Sequence, residues 1–422
     1  MRYVYQIGPS GEHYREETAV ISVEEALRII LEESKALECE EKDILSCLNK
    51  VLAEDIYSRD NLPPFDKSAM DGYAIKSEDT DLYEDGVSIE LEIVDLIKAG
   101  EFSDKELKNG QAMKIMTGAP VPKGANAVIQ IEKVEVHEDT LYISEKVKNG
   151  CNVIKLGEEI KVGDIALRKG TMIRPTEIGV LASLGYSKIK VHRDPVISIL
   201  TTGDELVDIN ETPKFGQIRN SNEYSLKALI QNLGLEALCL GIVEDKKDTL
   251  KSKVKEALEK SDIVITSGGA SVGDFDFVEQ VLNEINADIK FQSVAIKPGK
   301  PISFAVIDKK LFFSLPGNPL SAITTFEEFV KPACEKMLGK NMERDNTFLV
   351  ILAEDFKEKE GRSKYIYVKI KAENGKLYAY KVGSQSSNQL ITMSKANGII
   401  IMPAGIGYKK AGEVLSGKFI FK

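Results

Sequence analysis

The residues best suited to chemistry lie in TSGGASVGDFD, residues 266–276. Ser267, Gly268, Gly269, Ser271 and Gly273 make a loop whose glycines let the backbone approach a ligand closely and leave N–H groups free to donate. Asp274 and Asp276 follow at once, and two carboxylates there can hold a hard cation such as Mg²⁺ against a bound phosphate. A lone Gly-Gly is equally well a tight turn in an α/β sheet. Three further polar loops of the same kind argue for a site: TTGDE with Gly203, Asp204 and Glu205, VED ending in Asp245, and LPGNP with Pro316, Gly317, Asn318 and Pro319. Lys297 and Lys300, in KPGK, add point charges for an anion. Glycine N–H groups, two lysines and the carboxylates Glu205, Asp245, Asp274 and Asp276 together suit metal-assisted, in-line cleavage of a phosphoanhydride.

These loops need a scaffold that delivers them to one edge. Residues 191–338 alternate short β-branched runs with amphipathic helices, which predicts a doubly wound, mostly parallel sheet. The run at residues 262–266 reads as a buried strand. A helix over residues 221–233, apolar at 226, 229, 230 and 233, stops at Gly234 as its C′ residue. Ligands of such sheets bind outside the carboxyl ends of the strands, where all four loops fall.

Around that domain the pattern differs. Ser22 with Glu25 forms a capping box before a helix apolar at Val23, Ala26, Leu27, Ile30 and Leu31. Residues 22–50 and 147–190 read as one discontinuous domain, interrupted by a β-rich insertion over 51–146. Within the insertion, NLPPFDKSAMDGYAI mixes Asp66, Ser68 and Asp71 with apolar anchors, and Thr117 opens a tight Thr-Gly-Ala-Pro turn. The tail, residues 345–422, is β again and reads as a small barrel or sandwich, with Asn374-Gly375 a type I′ hairpin signal. Arg362 and the run GSQSSNQ, which holds Ser387, are ligand candidates that read first as solvated loop residues.

Composition narrows the classes. The 422 residues carry a net charge of −10, which argues against a nucleic-acid surface. Five scattered cysteines without CxxC read as reduced thiols of a cytoplasmic protein, and no apolar run approaches a membrane helix. Walker A and GxGxxG motifs are absent, and three isolated histidines make no credible triad or zinc site.

FDKSAMDGYA, IMTGAPVPKGANAV, TTGDEL, GQIRNSN, TSGGASVGDFD, IKPGKP and LPGNPLSA, in this order, resemble the molybdopterin molybdenumtransferases, the bacterial MoeA-type enzymes and the C-terminal domain of gephyrin. The resemblance runs from about residue 22 to the end. It implies insertion of molybdate into adenylylated molybdopterin with release of AMP, a requirement for Mg²⁺, four domains, and a homodimer whose cleft joins the sheet domain of one chain to the Asp66 region of the other. It further implies contact with the molybdopterin adenylyltransferase. By position it makes Asp66, Glu205, Asp245 and Asp276 the functional carboxylates and puts Thr117 in the cleft. It gives residues 267–276 and 316–319 to the pterin-phosphate-adenylate, and Lys297, Lys300, Arg362 and Ser387 to molybdate. Glu159 stands where many members have Asp, and Ser386 replaces a usual Gly. The sheet domain also resembles stand-alone molybdopterin adenylyltransferases, and relatives of gephyrin serve as scaffolds; the intact carboxylate set favours the transferase.

Overall fold

A computed structural model describes residues 20–81, 83–84, 87–268, 277–341 and 347–420. The described chain divides into two compact units. One holds the segment up to Glu41, Asn49–Ala53 and everything from Lys190 onwards; the other holds Lys42–Leu48 and Glu54–Ile189.

The second unit is built on a six-stranded sheet. Its strands are β1 (Gly72–Ile75), β2 (Ile89–Ile97), β3 (Gln111–Ile115), β4 (Ala127–Gln130), β5 (Val134–His137) and β6 (Thr140–Ile143), in the order β4-β1-β3-β2-β6-β5. Apolar side chains of β1, β3 and β4 fill both faces, with Tyr73, Ile75 and Ile129 on one side and Ala74, Met113 and Val128 on the other. Gly72 is obligatory here, because a Cβ would lie 1.9 Å from the Ile129 carbonyl oxygen of the paired strand.

In the first unit, β7 (Ile197–Thr202), β8 (Ala237–Val243), β9 (Ile263–Ser267), β10 (Asp288–Phe291), β12 (Ser303–Ile307) and β13 (Lys310–Leu315) form a sheet in the order β8-β7-β9-β13-β12-β10. Pairing is parallel from β8 through β7 and β9 to β13, and antiparallel from β13 to β12 and β10. The expected parallel sheet is therefore its core, with a two-stranded antiparallel extension. The chain passes from β7 to β8 on one side and then crosses back past β7 to β9 on the other, so the switch point lies between β7 and β9. Helices α3 (Ser221–Asn232), α4 (Lys247–Lys260), α5 (Phe277–Glu284) and α6 (Pro319–Thr325) follow the four parallel strands. Gly234 closes α3 at φ +75°, the left-handed turn that its sequence position foretold. The first strands are tied at their entry: Arg193 grips both oxygens of Asp262 at 2.7 and 2.9 Å, and Asp262 accepts the Val196 N–H.

Helix α1 (Val23–Glu33) caps on Ser22, whose hydroxyl accepts the Glu25 N–H, and buries Val23, Ala26 and Ile30 in the same core as the sheet. The tail closes into a barrel. Strands β14 (Phe348–Leu352), β15 (Ser363–Glu373), β16 (Lys376–Lys381), β17 (Gly398–Met402) and β18 (Val414–Phe419) pair in the ring β15-β16-β14-β18-β17-β15. Asn374 and Gly375 take φ +49° and +73°, joining β15 to β16 as a type I′ turn requires. A short strand, β11 (Ile296–Lys297), leaves the sheet domain to pair in parallel with β15.

Candidate functional site

The carboxyl ends of β7, β8, β9 and β13 are adjacent in the sheet, so their loops share one edge. Thr201, Thr202 and Ser267 end their strands buried. Gly268 packs directly on β7, since a Cβ there would stand 2.2 Å from the Thr202 carbonyl oxygen. On the other side Gly317 presses against Gly268, its own Cβ position lying 3.5 Å from the Gly268 Cα. The floor of the edge is thus main chain against main chain.

Helix α3 supplies the joint. Asn220 caps it, accepting the Glu223 N–H, and donates to Thr201 Oγ1 at 2.9 Å. Two residues on, Asn222 Nδ2 donates to Ser267 Oγ at 2.8 Å and to the Gly317 carbonyl at 2.7 Å. One amide therefore ties two of the predicted loops together. Asn222 was not among the site residues read from the sequence, although it lies in the GQIRNSN stretch.

The acidic residues assemble beside this floor. Glu205 folds its carboxylate over Gly203, where a Cβ would meet Oε2 at 2.5 Å. Asp204 Oδ1 accepts the Asp245 N–H at 3.2 Å. Burial, then the neighbouring Asp204 and Glu205 charges, raise the Asp245 carboxyl above its usual range, with the Thr202 hydroxyl opposing. Among the described residues no three carboxylate, imidazole or thiolate side chains are gathered as a metal-holding cluster. Gly269, Ser271, Gly273, Asp274 and Asp276 lie outside the described residues.

Cationic groups gather where β11 meets the barrel. The Lys297–Lys300 loop packs on α6, a Cβ at Gly299 falling 2.6 Å from Thr325 Cγ2. Lys300 is exposed, whereas Lys297 Nζ is engaged by Glu358 Oε2 at 3.1 Å. Arg362 Nη1 donates to the Ile296 carbonyl at 3.1 Å. Ser387 joins from the tail: its carbonyl accepts the Leu320 N–H at 2.9 Å, next to Pro319. Ser386 is not at positive φ, so a serine stands there without the strain that would demand glycine. Glu358 gave no signal in the sequence, being one acidic residue in a charged stretch.

The second unit has its own constellation. Asp66 accepts Lys155 Nζ and the Leu156 N–H, both at 2.8 Å, and these hold its carboxyl below the usual range. Asp71 Oδ1 takes both the N–H and the hydroxyl of Thr117 at 2.7 Å, which lowers that carboxyl as well. Glu159 is exposed, its N–H donating to the Leu62 carbonyl.

Comparison with known proteins covers nearly the whole chain. Residues 21–185 match the MoeA N-terminal region (domain I and II), residues 198–336 a probable molybdopterin binding domain, and residues 350–416 the MoeA C-terminal region (domain IV). A protein of Staphylococcus aureus (strain COL) named molybdopterin molybdenumtransferase is 38% identical over 398 residues, 94% of each chain. One of the same name from Staphylococcus epidermidis (strain ATCC 35984) is 36% identical over 400 residues, 95% of this chain and 96% of that one. The crystal structure of a molybdopterin biosynthesis MoeA protein from Pyrococcus horikoshii OT3 superposes with a TM-score of 0.83 at 31% identity, covering 95% of this chain and all of that one.

Proposed function

Because the chain belongs to the MoeA family, we propose that it is a molybdopterin molybdenumtransferase that inserts molybdate into adenylylated molybdopterin, forming molybdenum cofactor and releasing AMP. The observation that carries this reading is the meeting of the Thr202–Glu205, Asp245, Gly268 and Gly317 loops on one sheet edge, tied by Asn222.

On this reading Ser267, Gly268 and the Pro316–Pro319 turn receive the pterin-phosphate-adenylate, where main-chain approach is closest. Asp204, Glu205 and Asp245 offer hard oxygen donors, and burial together with the adjacent Asp204 and Glu205 charges raises the Asp245 carboxyl, a penalty that a bound divalent cation would relieve. Mg²⁺ held by Glu205 and Asp245, with Asp274 and Asp276, would neutralise charge on the anhydride oxygens. In the cleavage, a water oxygen bonds to the AMP phosphorus while the anhydride P–O bond breaks, its electron pair leaving on the molybdopterin phosphate and the water's proton passing to solvent. The chain's residues hold these groups in line. Lys297, Lys300, Arg362 and Ser387 take the molybdate. Asp66 and Thr117 act across a homodimer, in the cleft of the partner chain.

The test is reconstitution of the purified full-length chain with AMP-molybdopterin, Mg²⁺ and molybdate. Molybdate-dependent AMP release is the expected result. No release would overturn this reading, and AMP-molybdopterin made from molybdopterin and ATP would replace it with that of an adenylyltransferase.

A further inference from the structure

Lys364 is 3% exposed, and its Nζ is buried without a hydrogen-bond partner. An ammonium carries three donors, and leaving them unmet away from water is costly. Burial accordingly holds this lysine below its usual pKa range. Its position explains what the cost could serve. Strand β11 lies beside β15 with Lys297 directly opposite Lys364. Residues in register on paired strands project from the same face, so the two ammonium groups are neighbours. The charges that face Lys364 are the carboxylates Glu358 and Glu360 and the Lys297 cation. Glu358 has a partner already: it is bonded to Lys297 at 3.1 Å, its side chain 19% exposed against 44% for the lysine.

Two cations therefore flank one largely buried carboxylate, and only one of them holds it. An oxyanion that takes the Lys297 ammonium must displace Glu358, and a displaced buried carboxylate needs a new counter-charge. We propose that Lys364 is the second station for Glu358, accepting its carboxylate when an oxyanion claims Lys297, so that Lys297 is released without leaving a buried charge unpaired. The proposal rests on the reading of Lys297 as an oxyanion contact. Lys364 is then a positioning residue: it takes Glu358 only once the oxyanion is bound, and it acts on the oxyanion only through that exchange.

The experiment is calorimetric titration of the full-length chain with molybdate alone. Lys364→Met should weaken binding about tenfold, ~1.4 kcal/mol, while Lys364→Arg retains it. Glu358→Gln should bind more tightly than wild type, because Lys297 no longer has a competitor. The pair E358Q/K364M should bind as tightly as E358Q, since without the carboxylate a second station has no task. A lysine that touched the oxyanion directly would show its loss in the E358Q background too, and that result would overturn the proposal, as would wild-type affinity in K364M. Should K364M fail to fold, Lys364→Gln, which keeps a polar chain without the charge, takes its place: a loss of about tenfold is again expected, and wild-type affinity would overturn the proposal. Wild-type protein that binds no molybdate would overturn the oxyanion reading of Lys297 and this proposal together; binding that is merely indifferent to Lys364 overturns the proposal alone.

Discussion

Asp245 and Asp66 are carboxylates with opposite surroundings. Asp245 sits half-buried, and burial with the Asp204 and Glu205 charges raises its pKa; Asp66 is held down by Lys155 and a backbone N–H. The signs follow from linkage. An acid whose folded pKa is raised destabilises the native state once ionised, so the penalty at Asp245 is in force at pH 7. It fades as pH falls through the folded pKa and is gone below the unfolded value of about 4. Asp245→Asn should therefore melt at or above the wild-type temperature at pH 7, with the difference vanishing near pH 4, while molybdate-dependent AMP release falls about 100-fold or more. Parallel thermal scans at the two pH values and the reconstitution assay read this out; an N-variant less stable than wild type at pH 7 would contradict the electrostatic account. Asp66 and Asp71 behave in the reverse sense, stabilising above pH 4 and losing that contribution as acid titrates them. These assignments separate what a sequence can and cannot disclose at a single position. Carboxylates in glycine-rich turns announce themselves by type and spacing. Asn222 does not, because its partners Ser267 and Gly317 are 45 and 95 residues away and only folding brings them within reach. Lys364 is equally silent, since a lysine in an alternating strand reads as solvated.

The elements were largely legible where one physical pattern governs them. Hydrophobic periodicity located α3 and the strand β9, and Asn-Gly located the β15–β16 hairpin through its need for positive φ. Where tertiary pairing decides, the pattern was mute. Nothing in FQSVAIKPGKPISFAVI marks that β12 runs antiparallel to β13, or that β11 leaves the sheet to join the barrel. Asp262 read as the first residue of a strand; its carboxylate instead binds Arg193, with Ile263 opening β9. The loop elements make a sharp prediction. Gly268 stands at φ +97° with the Thr202 carbonyl 2.2 Å from a Cβ position. Gly268→Ala should cost on the order of 3 kcal/mol, from left-handed strain plus the displaced strand end. Urea denaturation should show it, with substrate affinity lost in whatever fraction remains folded. Gly216→Ala, also at positive φ but with open space around it, is the control and should cost only about 1 kcal/mol.

For the whole molecule, the proposed homodimer places Asp66 of one chain in the cleft of the other. Asp66→Ala and Asp245→Ala homodimers should each be inactive. Mixed after subunit exchange, they should recover about a quarter of wild-type activity, because half the dimers are then hybrid and each hybrid holds one site with both carboxylates intact. A mixture that stays inactive although exchange is demonstrated would place both residues in the same chain's site. Within the first unit the tail is not an appendage. Tyr365, Tyr367, Met393, Ile399 and Ile420 belong to the same hydrophobic cluster as α1 and the sheet strands, and the Tyr367 hydroxyl meets Thr324 Oγ1 of α6 at 2.8 Å. A chimera that exchanged the barrel strands, from β14 onwards, with a homologue's would thus cut through a shared interior. It would have to import the matching helix surface, or else tolerate vacant space where two tyrosines had interlocked.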